Sequence, residues 1–326
     1  MNVIDMHCDT ILRIYDAKNK NQMQGLAKND FQIDCSKLEA GNYLLQNFAM
    51  FVDVESTNNP YQTAKELIKC FNEEMNTNQE LIRPITHFGE IAKNQAEGKI
   101  SALLTMEEGA PLEGNTEKLQ EFYDLGVRML TLTWNYPNEI GYPNASFSDE
   151  ETGKLVTSEQ KGLTEKGIEI VEKMNDMGMI IDVSHGSDQL VRDVLTYTKR
   201  PFVASHSNAR SICPHFRNLP DELIRAIANR GGVIGINFYD AFLSDNPKEK
   251  LINAIIKHAQ HLYQIGGIDV IGLGSDFDGI RPHSDLKDCS VLPTIYEALK
   301  KAGFSTRECD QIFNKNVLRL YKEFLV

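Results

Sequence analysis

Eight short apolar segments recur along the chain with helical periodicity between most of them, and that alternation limits the fold more than any other feature. The first opens the stretch Val3–Thr10 (Val-Ile-Asp-Met-His-Cys-Asp-Thr), where Val3, Ile4 and Met6 predict a short buried strand. The others are predicted at Gln46–Val52, Ile100–Met106, Val127–Thr133, Met179–Ser184, Pro201–Ser205, Gly232–Phe238 and Val270–Gly274. Helices are predicted at Pro60–Met75, Glu117–Leu125, Thr164–Met177, Ser187–Tyr197, Pro220–Asn229 and Lys248–Ile265. Asn59 and Pro60 start the first of these, and Gly126 and Gly178 stop two others. Strands separated by helices pair in parallel, and eight of them close into an α/β architecture, the (β/α)8 TIM barrel. The alternative is an open doubly wound sheet, disfavoured because no glycine-rich phosphate turn follows the first strand. The tail from about Val291 to Val326 is expected to add extra C-terminal helices packed outside. No repeat, low-complexity tract or linker interrupts the pattern, so residues 1–326 are expected to form a single domain.

Side chains that can bind metal fall where these strands end. His7 and Asp9 follow the first, Glu107 the third, His185 the fifth, His206 the sixth and Asp276 the eighth. In a parallel barrel all these ends open on one face, where such enzymes keep their active sites. Asp5, His7 and Asp9 recur at period two, so they are expected to share one face, with Cys8 turned away as a packed thiol. A surface strand with a solvated polar face explains Asp5, His7 and Asp9 alone, and a hydrogen-bonded core histidine explains any one imidazole. Neither explains six such residues at five strand ends. His87, His258, His261 and His283 fall on helices or turns and read as structural or surface residues; His215, in a loop with Arg217, can be either structural or pocket-lining.

Three histidines and two or three carboxylates exceed what one tetrahedral ion needs, which points to a pair of metals sharing a carboxylate. Glu107 is the natural bridge, and Glu108, its neighbour on the strand, is expected to point away. Such a pair generates a hydroxide nucleophile near neutral pH and polarises a carbonyl, so the expected reaction class is hydrolysis.

Composition excludes other classes. Hydrophobic and charged fractions of 41% and 25% are those of a globular protein with a large core. A formal net charge of -12 without a basic stripe argues against nucleic acid. No apolar run reaches the length of a membrane span and no secretory signal is evident. Cys8, Cys35, Cys70, Cys213, Cys289 and Cys309 are scattered without a C-x-x-C spacing, as for reduced thiols. A cytoplasmic protein without membrane attachment is therefore expected.

Asp5-x-His7-x-Asp9, Glu107 before a glycine-containing turn, Asp182-Val-Ser-His185, Ser205-His-Ser207, Arg217-Asn218 and Gly274-Ser-Asp-Phe-Asp-Gly279 together resemble the membrane dipeptidase (renal dipeptidase) family of zinc peptidases. The resemblance spans nearly the whole chain and implies a metal-dependent hydrolase barrel that cleaves dipeptides, L,D-dipeptides among them, with two zinc ions. It implies that His7, Asp9 and Glu107 hold one ion, and Glu107, His185 and His206 the other. It further implies that Asp276 moves the proton, with Asp278 as the fallback or a substrate contact, and that Arg217 pairs with the substrate carboxylate. The best-known members carry a histidine in a Leu-Thr-His context where this chain has Leu132-Thr133-Trp134. Indole neither titrates nor carries positive charge, so Trp134 is expected to form an apolar wall, with Asn135 supplying a polar contact. A homodimer is common in the family; the sequence neither supports nor refutes it.

Two alternatives stay open at this level. One is another amidohydrolase-type reaction on the same barrel, a deamination or the hydrolysis of a cyclic amide. Against it, related barrels bridge their metals with a modified lysine where this chain offers Thr133 and Trp134, and a one-metal deaminase leaves Glu107 without a task. The other is a catalytically impaired metal-binding homologue, suggested by Trp134 alone. The loop from Trp134 to about Gly153 is a candidate lid.

Overall fold

The computed structural model describes residues 1–147, 155–157 and 161–326. In chain order its strands are β1 (Val3–Asp5), β2 (Tyr43–Phe51), β3 (Ile82–Ile85), β4 (Ile100–Glu107), β5 (Met129–Thr131), β6 (Ala145–Phe147), β7 (Leu155–Thr157), β8 (Ile180–Asp182), β9 (Val203–Ala204), β10 (Val233–Ile236) and β11 (Ile271–Leu273). Pairing runs β2-β1-β11-β10-β9-β8-β5-β4, and β4 pairs back onto β2, closing a parallel barrel of eight strands. Most of these strands are buried on both faces, which is why they read as continuous apolar runs and not as alternating ones. The expected segments all become barrel strands; β2 starts earlier and β4 ends later than predicted, while most of the others are shorter.

A ninth strand in the sheet, β3, escapes sequence reading. It pairs with Ile100–Leu103 of β4 while β5 pairs with Thr105–Glu107, so β3 fills the lower half of an edge whose upper half belongs to β5. It is four residues long and contains Pro84, which lacks an N–H and is tolerated only where one side of the strand goes unpaired. Three helices also lie outside the predicted set: Phe88–Ala96 after it, and Thr10–Asn19 and Cys35–Ala40, which bracket a polar, irregular N-terminal stretch. Elsewhere local signals act as expected. Asn59 accepts from Gln62 N at the start of helix Pro60–Thr77, Thr164 from Gly167 N at the start of Glu165–Met177, and Gly178 ends the latter at φ 73°.

The tail corrects one expectation. The last helix, Asn316–Phe324, does not simply pack outside: Val317, Leu320, Tyr321 and Phe324 join Ile4, Met129, Ile180, Val203 and Val233 in one buried cluster. Met129, Ile180, Val203 and Val233 are the first residues of their strands, so this helix plugs the end of the barrel opposite the strand C-termini. Tyr321 is fully buried and its hydroxyl donates to Asn47 Oδ1 at 2.9 Å, so the polar end of that ring is satisfied inside the plug. With the floor closed, the opposite rim is left for chemistry.

The stretch from Trp134 onward contains β6 and β7, which pair antiparallel; the part expected as a lid between residues 148 and 154 lies outside the described residues. Among the described residues, no helix is long and apolar enough to cross a membrane.

Candidate active site

Register places the strand ends side by side: Phe51 pairs with Glu107, Glu107 with Thr131, and Thr131 with Asp182. The side chains following these ends converge. Glu107 Oε1 lies 3.1 Å from His185 Nε2 and 3.4 Å from His206 Nε2, while its Oε2 lies 3.3 Å from His7 Nε2. His7 Nε2 is also 3.4 Å from Asp9 Oδ2 and 3.9 Å from Asp276 Oδ1. One atom each from His7, Glu107 and His206, and again from His7, Asp9 and Asp276, fall within 4.8 Å of one another. All six expected ligand-type residues are thus brought to one place, and nearly all are buried.

The period-two reading of Asp5, His7 and Asp9 fails in one respect. The strand stops at Asp5, and Asp9 precedes the helix Thr10–Asn19, so the three do not share a strand face. Asp5 instead accepts from Ser275 N at 2.9 Å, Ser275 Oγ at 2.5 Å and His7 N at 3.2 Å. It fastens β1 to the segment that carries Asp276. Asp182 does the same across β8 and β9, accepting from Ser205 N at 2.8 Å, Ser205 Oγ at 2.6 Å and Thr131 Oγ1 at 2.6 Å. Ser205 Oγ is in turn 2.7 Å from His206 Nδ1, so its hydroxyl goes to Asp182 and the ring N–H goes to Ser205. That fixes Nε2 of His206 as the lone-pair nitrogen. Asn135 Oδ1 plays the same part for His185, at 3.0 Å from Nδ1.

The two lone-pair nitrogens then face each other, His185 Nε2 and His206 Nε2 being 3.0 Å apart, with a carboxylate oxygen beside both. Two acceptors at that distance repel unless a cation lies among them. His7 points the same way: neither of its ring nitrogens has an aligned hydrogen bond although both are buried, nor has Asp9 Oδ1. A buried polar atom without a partner is costly, and coordination supplies the partner. Gly279 completes the fit. A Cβ there would press into Asp9 Oδ2 and Asp276 Oδ1, so only glycine leaves room for these carboxylates. The donor set therefore fits metal ions. Gly279→Ala is expected to weaken divalent-metal binding about ten- to hundredfold, measured by competition with a chromogenic chelator; unchanged affinity would show the cradle to be roomier than the backbone implies.

Electrostatics follow from this crowding. Burial works to raise Glu107, yet the charge of His7 holds it well below the ordinary carboxylate range. Burial likewise works against charge on His7, but Glu107 and Asp9 hold it well above the usual imidazole value. Burial and the charge of Arg217 push His185 down to about 4, and burial with the charge of His7 pushes His206 well down. Neutral imidazoles are the form that ligates. Burial, reinforced by the charges of Asp9 and Glu107, lifts Asp276 to about 7. Asp276 and His185 both adopt positive φ, 65° and 66°, a conformation costly for side chains with a Cβ and held here by their surroundings.

The remaining expected residues fall as follows. Asn237, which sequence reasoning passed over, donates from Nδ2 to Asp276 Oδ2 at 2.9 Å and is itself locked to Asn208. Asp278 spends both oxygens on the chain, accepting from Thr10 Oγ1 at 2.6 Å and Gln32 N at 2.7 Å. It therefore ties the irregular N-terminal stretch to the rim and leaves Asp276 as the carboxylate facing His7. Glu108 points away from the cluster as expected and holds the next loop, accepting from Ala110 N, Trp134 N and Asn138 Nδ2. Trp134 packs tilted against Phe51, with ring centres 4.8 Å apart, and lies 6.1 Å from His185; with Phe51 it lines a cleft of about 440 Å3 over the cluster. Arg217 lies beside the cluster, 3% exposed, donating to Ser207 Oγ and His206 O, with Nε unpartnered. His215 packs on Phe216 and Phe242 and accepts from Arg217 N; His258, between Ala209 N and Leu243 O, is a hydrogen-bonded core histidine. A signal for the fastening acids was available: serine directly precedes both His206 and Asp276, and each serine meets the aspartate ending the neighbouring strand.

A family model described as Membrane dipeptidase (Peptidase family M19) matches residues 1–325. An uncharacterized dipeptidase of Schizosaccharomyces pombe is 30% identical over 343 residues, which takes in 98% of this chain and 80% of the relative. Among solved structures, a dipeptidase of metallopeptidase family M19 superposes with a TM-score of 0.90 at 24% identity, covering 100% of this chain and 99% of that one. A metallopeptidase of Rhodobacter sphaeroides, liganded with a phosphinate mimic of the dipeptide L-Ala-D-Ala, gives 0.89 at 23% identity and 99% coverage of both chains.

Proposed function

The chain belongs to the membrane dipeptidase family of metallopeptidases, and from that premise we propose that it hydrolyses the amide bond of dipeptides, L,D-dipeptides included, with two zinc ions at the barrel rim. The observation that carries this reading is the division of Glu107: one oxygen serves His185 and His206, the other serves His7 beside Asp9. His7, Asp9 and Glu107 would hold one ion, and Glu107, His185 and His206 the other. When bound, such a pair polarises the scissile carbonyl and makes a water molecule acidic enough to attack it.

The chain's own groups do the rest. Asp276 Oδ1 faces the cluster while Asn237 holds Oδ2, so one oxygen is free to take the proton of the attacking water and return it to the leaving amine. In the metal-free polypeptide burial and anionic neighbours push this carboxyl up to about 7, and cations beside it would bring it down toward the ionised form that a general base needs. Arg217 would meet the substrate carboxylate through its planar fork, and Trp134 with Phe51 would wall the cleft and exclude water. The phosphinate mimic held by the Rhodobacter sphaeroides protein suggests the size and stereochemistry of substrates to try first.

The test is metal removal. Protein stripped by a strong chelator is expected to lose hydrolysis of L-Ala-L-Ala and L-Ala-D-Ala and to regain it on adding zinc, with elemental analysis giving two zinc ions per chain. A stripped protein that keeps its rate, or a fully loaded one that leaves every peptide bond intact, would sink the proposal.

A further inference from the structure

The cleft over the cluster is not uniform. Phe51, Trp134, Tyr239 and Phe242 give it aromatic surface, whereas Arg13 and Arg281 line the sector above β1 and β11, which are neighbours in the barrel. Arg13 stands in the first turn of the helix Thr10–Asn19, just beyond Asp9, and Arg281 follows Gly279 in the turn after Asp276. Both are exposed, and among the described residues neither forms an ion pair or donates a side-chain hydrogen bond. Arg13 is steadied by the Phe31 ring, 5.2 Å beneath its guanidinium carbon. The carboxylates nearby are committed elsewhere. Asp9, Glu107 and Asp276 belong to the cluster, and both oxygens of Asp278 are taken by Thr10 and Gln32. Asp16, one helical turn beyond Arg13, also lines the cleft but pairs with neither arginine.

Two guanidinium groups on one wall of a substrate cleft, neither in an ion pair although the charge of Arg13 reaches Asp278, form a receptor for a carboxylate, since each offers paired N–H donors in a plane. We propose that Arg13 and Arg281 make this a dipeptidase selective for dipeptides bearing an aspartate or glutamate side chain; the inference rests on the dipeptidase reading above. Arg217 is buried on the far side of β10 beside His206, so it is left for the terminal carboxylate that every dipeptide carries. The same two charges disfavour lysine and arginine side chains at that wall. A purely compensating role, offsetting the acidic floor, would instead change the handling of all dipeptides alike.

The experiment compares each acid with its uncharged isostere on the zinc-loaded enzyme: Ala-Glu against Ala-Gln and Glu-Ala against Gln-Ala, each in the L,L and L,D series. Wild type is expected to favour the acid by about tenfold or more in kcat/KM at one of the two positions. That acid-to-amide ratio is expected to fall by about tenfold in Arg13→Met and in Arg281→Met, and to be partly kept in Arg281→Lys, which retains the charge without the fork. Both residues are exposed, so folding is not at stake. Hydrolysis of the glutamine dipeptides with no preference for acids, or a ratio that survives both substitutions, overturns the selectivity and leaves the dipeptidase reading standing. Hydrolysis of neither kind removes both.

Discussion

Asp276→Asn is expected to lower kcat by about 10²–10⁴-fold, the usual worth of a general acid–base, while the protein keeps its zinc. The substitution preserves shape, and the five residues His7, Asp9, Glu107, His185 and His206 still furnish ligands to both proposed ions. What disappears is an oxygen that can carry a proton between water and amine. The pH profile separates this from a ligand role. In the metal-loaded wild type, kcat/KM should rise with pH as Asp276 ionises, below the value of about 7 that the carboxyl has in the metal-free polypeptide, because cations beside it favour the carboxylate. That limb should vanish in the asparagine variant. If zinc content instead falls in step with activity, Asp276 is a ligand, as its place within 4.8 Å of His7 and Asp9 would also allow.

Glu107→Gln should do more damage, because one side chain serves both halves of the cluster. It removes the negative charge and one of two oxygens, and it turns an N–H2 toward nitrogens or carboxylates now served by an acceptor. Zinc occupancy is expected to fall below one ion per chain, and kcat/KM by about 10³-fold or more, equivalent to roughly 4 kcal/mol. Thermal melting gives a readout apart from activity. A ligand at about 100 times its dissociation constant stabilises the fold by about 2.7 kcal/mol, so added zinc should raise the wild-type melting temperature clearly and that of the variant little. A variant that still melts higher with zinc and retains two ions would show that Glu107 does not bridge.

The barrel was legible because its signals are local. Apolar runs, helical periodicity and stops such as Gly178 each act within a few residues, and they recur in an order that only parallel pairing satisfies. The elements that escaped reading had weak or contrary local signals: β3 contains Pro84, and the plugging helix Asn316–Phe324 looks like any amphipathic surface helix until its partners are known. The site was legible in kind for the same reason, since a ligand-type residue standing where a strand ends needs no distance to be noticed.

Residue order thus determined the alternation of strands and helices, the closed architecture it demands, and the chemistry of the donors at the strand ends. It could not determine which atom of Glu107 meets which histidine, that Asp5 is spent on Ser275 while Asp9 reaches the cluster, that Asn237 holds Asp276, or that Gly279 must lack a side chain. Those are relations between segments far apart in the chain, and they are fixed to fractions of an ångström only when the barrel closes. Periodicity tells which face a residue takes on its own strand; packing across the closed rim decides which atoms of other strands it faces.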